Sequence, residues 1–216
     1  MPENLGFMLN DHLGDCPIAG LHHGRQILSF NTTGDEITDP DAAVLADYER
    51  ICRYVDGDPS TDNGGVLQDV LTQAVQTGIT TDGGYHRLLG FYEIDPRNLH
   101  DICRAIAESG FAYIGIAIPD AWSDAVPGGV WDATEPGHEG HCVLLTGYEL
   151  GPDHLPVSFD VSSWGLPFTM TREGFVATCD EAYALVDPGW TKATGLTPAG
   201  LSLAQIEADM AAVKAA

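Results

Sequence analysis

The chain has 216 residues, 44% of them hydrophobic, enough to bury a core as one domain or two closely packed lobes. Its formal net charge of -23, from 32 acidic against 9 basic side chains, repels phosphate backbones and anionic lipid, so neither nucleic acid nor a membrane is an expected partner. The start, Met1-Pro2-Glu3-Asn4, lacks the basic stretch and apolar core of a secretion signal, and no apolar run reaches membrane-spanning length. Cys16, Cys52, Cys103, Cys142 and Cys179 are odd in number and irregular in spacing, which favours reduced thiols in a cytoplasmic protein over a disulfide framework or zinc knuckle.

The first predicted helix covers 17–29. Gly14 and Asp15 are turn and cap residues, Pro17 suits the first helical position, and Ile18, Leu21, Arg25 and Leu28 follow with helical spacing. Cys16 therefore stands at a helix start, where unpaired N–H groups and the helix dipole favour a thiolate. His22 and His23 are adjacent on this helix and point apart, so they do not form a two-ligand metal face. A breaker-rich stretch, Asn31-Thr32-Thr33-Gly34-Asp35, ends it.

A second helical pattern runs over 41–54, with Val44, Leu45, Tyr48, Ile51 and Cys52 on its apolar side. The carboxylate-rich stretch 56–65 is not an EF-hand loop, since Thr61 and Leu67 occupy the positions that need glycine and glutamate. It reads instead as a glycine-rich turn, Asn63-Gly64-Gly65, opening a helix over 66–77 that buries Val66, Leu67, Val70, Leu71, Ala74 and Val75 and stops at Gly78. Two adjacent glycines also leave backbone open to an extended peptide.

Beyond residue 79 the period changes. A strand over 88–94, a helix over 96–109 and a β-rich run over 111–118 precede a Gly/Pro-rich loop over 126–140. An apolar strand then begins at His141. His138-Glu139-Gly140-His141 is not a zinc-protease signature, because its histidines are three apart in a glycine-flanked loop. Strands follow over 157–161, 169–178 and 182–186, with Ser162-Ser163-Trp164-Gly165 turning out of the first. From Ser202, a capping pattern with Gln205 and apolar Leu203, Ile206, Met210 and Val213 predict a docked tail helix.

In their order, these pieces resemble the papain-like cysteine peptidases, over about residues 8 to 187. The family runs from a glutamine through a cysteine at a helix start, an Asn-Gly-Gly turn, a Gly-Gly-aromatic stretch and His-Ala-Val-x-x-x-Gly-Tyr to Asn-Ser-Trp-Gly. Here stand Asn10, Cys16, Asn63-Gly64-Gly65, Thr77-Gly78-Ile79, Gly128-Gly129-Val130-Trp131, His141-Cys142-Val143 with Gly147-Tyr148, and Ser162-Ser163-Trp164-Gly165.

The resemblance implies an α+β fold: a helical lobe at 1–110 with the nucleophile helix, an antiparallel β lobe at 111–190 carrying His141, a tail helix at 191–216, and a cleft between the lobes. It implies Cys16 as nucleophile and His141 as base and acid, forming an acyl-enzyme. The Cys16 N–H and the Asn10 amide would hold the oxyanion, Asn63, Gly64 and Gly65 would bind substrate, and Trp164 would shield the histidine. At the orienting position the family's asparagine is Ser162, with Asp160 on the same strand face as its substitute. The disulfide of secreted relatives is missing, with Leu13 and Asp62 where its cysteines would be, and no long pro-segment precedes Cys16.

The overall look is nearest to short papain-like proteins of bacteria and their bacteriophages. The leading expectation is a thiol hydrolase of a peptide or isopeptide bond, acting on a peptide or protein, with no cofactor and no metal. Transfer of the acyl group to an amine would use the same residues. The alternative is a papain-like scaffold of weak or no turnover, acting through binding, virion or homo-oligomer contacts.

Overall fold

The computed structural model describes residues 4–123 and 126–214. Met1, Pro2 and Glu3, from the start read as lacking a secretion signal, lie outside them. No helix among the described residues is long and apolar enough to cross a membrane.

Cys16 opens the longest helix, α1 (Cys16–Thr33), with Asp15 at the N-cap position and left-handed Gly34 closing it by donating to Phe30 C=O at 2.9 Å. It runs a turn past the expected end. Thr32 and Thr33 do not break it, because their hydroxyls donate back to Leu28 and Ser29 carbonyls, each at 2.8 Å.

Helices α2 (Asp41–Cys52) and α3 (Leu67–Gln76) complete the helical part. Val66, expected on the buried face of α3, is instead its 63% exposed N-cap residue. A short hairpin, β1 (Ile79–Thr81) and β2 (Gly84–His86), follows.

The remaining strands form one seven-stranded sheet: β3 (Gly90–Ile94), β4 (Ala112–Ile118), β5 (Val130–Trp131), β6 (Glu139–Leu150), β7 (Pro156–Ser163), β8 (Leu166–Thr171) and β9 (Cys179–Val186). Its order is β3-β9-β4-β6-β7-β8-β5, antiparallel throughout except for the β5–β8 edge pair. Thus β3, early in the chain, joins the sheet made mostly by the second half.

Helix α4 (Leu99–Ser109), capped by Asn98, packs on that sheet, and α5 (Asp120–Ser123) leads out of β4. The stretch expected as a strand at 169–178 is a strand only to Thr171. Its remainder is α6 (Arg172–Thr178), started by the Thr171 hydroxyl accepting from Gly174 N–H at 3.0 Å.

The tail helix α7 (Leu203–Lys214) rests on α4, β3 and β9 through buried Ile206, with Ser202 accepting from Gln205 N–H at 3.2 Å. The side chains of Met210 and Val213, expected to dock it, lie outside what the structure describes.

Helix α1 lies directly against the sheet because Gly20 and Gly24 remove side chains from its contact face. A Cβ on Gly24 would fall 2.5 Å from the Phe111 ring, and one on Gly20 3.2 Å from Tyr113. The Tyr113 hydroxyl then donates to Pro17 C=O at 2.7 Å, fixing the first turn of α1, and with it Cys16, against β4.

Candidate active site

The helical part and the sheet leave between them a cleft of about 680 Å³, and Cys16 and His141 both line it. Cys16 comes from the α1 start and His141 from β6. The Cys142 N–H donates to Cys16 Sγ at 3.3 Å, so the residue after the histidine touches the sulfur.

The His141 imidazole is 9% exposed and stacks on Trp164, with ring centroids 4.6 Å apart and planes 24° apart. Trp164 in turn meets the edge of fully buried Trp131, which stacks between Trp122 and Phe168. The Gly128–Trp131 stretch therefore supports the histidine's cover from behind.

The hydroxyl within hydrogen-bond reach of His141 is that of Ser163, 2.8 Å from Nε2, and not that of Ser162. Strand pairing gives the reason. Ser162 opposes Leu144, and directly opposed residues share a face, so Ser162 falls on the face opposite His141 while Ser163 falls on the same one. Buried Ser162 has no hydrogen-bond partner among the described residues. Asp160, on the Ser162 parity, is exposed beside Gly147 and does not substitute. In the tautomer that donates Nε2–H to Ser163, Nδ1 is the basic nitrogen.

The thiol also departs from expectation. Burial pushes the Cys16 pKa up to about 12, outweighing the Cys142 N–H that favours a thiolate, and Asp15 beside it raises it further. Burial likewise pushes His141 down to about 4. Both shifts favour the neutral forms, thiol and imidazole. The helix dipole does not win here because desolvation of a buried charge exceeds the gain at a helix start.

Asp15 itself is fully buried, with neither carboxylate oxygen hydrogen-bonded among the described residues, so it caps α1 by position alone. Burial raises its pKa to about 7.

Asn10 lines the cleft, one amide N–H spent on Leu13 C=O at 3.1 Å, and its side chain favours the charged form of the neighbouring Asp15 carboxyl. Asn63, Gly64, Gly65 and Trp164 line it as well. Asn63 donates to Ser60 C=O at 3.2 Å, and Gly64 N–H donates to the Tyr48 hydroxyl at 3.1 Å, while Gly65 keeps its backbone N–H and C=O unused among the described residues.

Asp62, named in the sequence only as standing in a cysteine's place, has a role of its own. It accepts from Gly14 N–H at 2.9 Å and from the Tyr48 hydroxyl, tying the loop before Cys16 to the Gly64 turn, where the resemblance places a disulfide.

Sequence reasoning missed the charge of the cleft. Asp62, Glu139, Asp180 and Glu181 line it, and among its described lining residues there is no arginine or lysine. A bulge between β4 and β9 at Gly115/Ile116 brings Glu181 in, where its carboxylate takes the space a side chain on Gly115 would need and accepts from Tyr183 Oη at 2.7 Å.

No protein-family model and no curated protein sequence matches the chain. Solved structures do match. A mite-allergen structure from the comparison of Blo t 1 with Der p 1 superposes with TM-score 0.59 at 12% identity, over 86% of this chain and 71% of that one. The Carica candamarcensis cysteine protease CMS1MS2, bound to E-64, gives 0.58 at 14% identity over 89% and 99%. Xylellain, a cysteine protease from Xylella fastidiosa, gives 0.58 at 15% identity over 80% and 79%. Together with the helical part, the seven-stranded sheet and the cleft that divides them, these likenesses establish that the chain has the α+β fold of papain-like cysteine peptidases.

Proposed function

We propose that the protein is a cysteine-type peptidase that cleaves a peptide or isopeptide bond through an acyl-enzyme on Cys16. The observation that carries this reading is the convergence of Cys16 and His141 on one cleft, with the sulfur 3.3 Å from the amide after the histidine. Because both groups rest neutral, proton transfer accompanies attack. His141 Nδ1 takes the thiol proton as Sγ bonds to the substrate carbonyl carbon, and returns it to the leaving amine as the C–N bond breaks. Water, deprotonated by the same nitrogen, then releases the acyl group. The Cys16 N–H and the Asn10 amide stabilise the oxyanion.

The carboxylates of the cleft favour substrates with lysine or arginine near the scissile bond, since a cation there meets Asp62 on one wall and Glu139, Asp180 and Glu181 on the other. A library of fluorogenic peptides, incubated with wild type, Cys16→Ala and His141→Ala, tests the assignment. Cleavage of basic peptides by wild type alone is the expected result; equal background cleavage by all three removes it.

The burial that raises the Cys16 pKa also supports a second reading, a papain-like scaffold with weak turnover that acts by binding, as in a bacteriophage particle. Retention of a basic peptide on Cys16→Ala without cleavage by wild type separates that reading from the first.

A further inference from the structure

We infer that the segment Leu5-Gly6 is a strap between the lobes that seats Trp164 over His141, and that His23 is the positioning residue that holds it. The inference rests on reading Cys16 and His141 as the working pair.

Cys16 and His23 lie about two turns apart on α1, hence on one face of the helix. Buried His23 donates from Nε2 to Gly6 C=O at 2.8 Å, and Gln26, farther along α1, donates to Leu5 C=O at 3.2 Å. On the other side, Leu5 N–H donates to Gly165 C=O at 2.8 Å. Gly165 has φ +70°, and the backbone of Gly6 fills the space where its side chain would be. Gly165 and Trp164 are the two central residues of the β7–β8 turn, both with positive φ, and Trp164 lies on the imidazole.

A continuous set of contacts thus runs from the helix that carries the thiol, through His23, Gly6 and Gly165, to the ring that covers the histidine. The same segment continues through left-handed Met8 and Leu9, a turn closed by Asn10 N–H to Phe7 C=O at 3.1 Å, and delivers Asn10 to the cleft. One strap therefore places two walls of the site relative to Cys16. Its hold is specific, because burial drives the His23 pKa down to about 4 and keeps the ring a neutral donor to a carbonyl.

The test compares wild type, His23→Leu and His23→Gln, whose amide can again donate to Gly6. Two readouts are taken on folded protein: the ring-current shift of the His141 ring protons by NMR, and inactivation of Cys16 by an arginine-containing peptidyl epoxide, followed by mass. His23→Leu is expected to lose much of the ring-current shift and about tenfold in inactivation rate, the scale of a small misplacement of reacting groups. His23→Gln is expected to restore both.

An unchanged His141 shift in folded His23→Leu overturns the inference. If the shift moves while wild-type Cys16 itself resists the epoxide, the strap stands and the peptidase reading fails. Should His23→Leu not fold, Leu5→Ala loosens the same strap by removing its buried anchor and is read in the same two ways.

Discussion

The Ser163 hydroxyl holds His141 Nε2 at 2.8 Å, and its neighbour Ser162 holds nothing among the described residues. In the proposed mechanism Ser163 orients the imidazole, and Trp164 stacks on its face. Ser163→Ala frees the imidazole to rotate and to change tautomer, removing a hydrogen bond of about 1 kcal/mol, or about fivefold in rate. Ser162→Ala removes an unpaired buried hydroxyl and leaves the rate unchanged. Paired kcat measurements on a basic peptide check both.

The neutral resting pair sets the pH dependence. A histidine of pKa about 4 stays a competent base down to mildly acidic pH, so activity on a peptide falls only as pH drops through about 4, well below the usual imidazole range. Alkylation of free Cys16 by iodoacetamide should rise only at strongly alkaline pH, as its pKa of about 12 requires. A plateau of alkylation between pH 5 and 8 in the free protein would indicate a preformed ion pair instead.

The His22 cluster contributes most in mild acid. Fully buried His22 lies between Asp39 at 3.0 Å and Asp47 at 3.2 Å, themselves bound by Arg25 and Arg50. Burial alone would lower the His22 pKa, but the two carboxylates raise it. Its stabilisation is complete below the unfolded value of about 6.5 and is lost as pH rises through the raised folded value. Asp39 and Asp47 resist the upward pull of burial through these partners and are lowered, so their contribution is lost as pH falls through their folded values. His22→Leu leaves two buried carboxylates facing each other and should cost about 3 to 5 kcal/mol in urea unfolding at pH 6.

Asp15 adds to the decline at neutral pH. Its folded pKa of about 7 lies above the unfolded value, so the native state binds the extra proton and its own contribution is lost as pH rises from about 4 through 7. Asp15→Asn removes the ionisation and should stabilise the protein by on the order of 2 kcal/mol at pH 7.5, with little effect at pH 4. Urea midpoints at the two pH values check it.

Cleft charge should be visible in KM. Glu181→Gln removes one of the four lining carboxylates and should raise KM for an arginine-containing peptide about threefold, with kcat little changed. Added salt should shrink the difference.

Much of this was legible in the chain itself. The turn before Cys16, the Asn63-Gly64-Gly65 turn and the strand opening at His141 each follow from local pattern, and their order carried the fold. What failed was decided by partners. The choice between Ser162 and Ser163 depends on which residue of β6 each opposes. The thiol's state depends on how deeply α1 is pressed into the sheet, which Gly20 and Gly24 determine. The acidity of the cleft comes from Asp62, Glu139 and Asp180-Glu181, too far apart in sequence to read as one feature. Helix α6 reads as a strand in the sequence because its apolar residues, Phe175 and Val176, fit either period in so short a run.

The bond from Leu5 to Gly165 also fixes when the molecule is finished. During translation the early segment emerges with no hairpin turn to grip, and the sheet cannot close until β9 arrives to lie between β3 and β4. Thiol helix and imidazole strand are therefore locked together only after strands made long after Cys16 have paired, so the first-made part of the site waits on the later-made one.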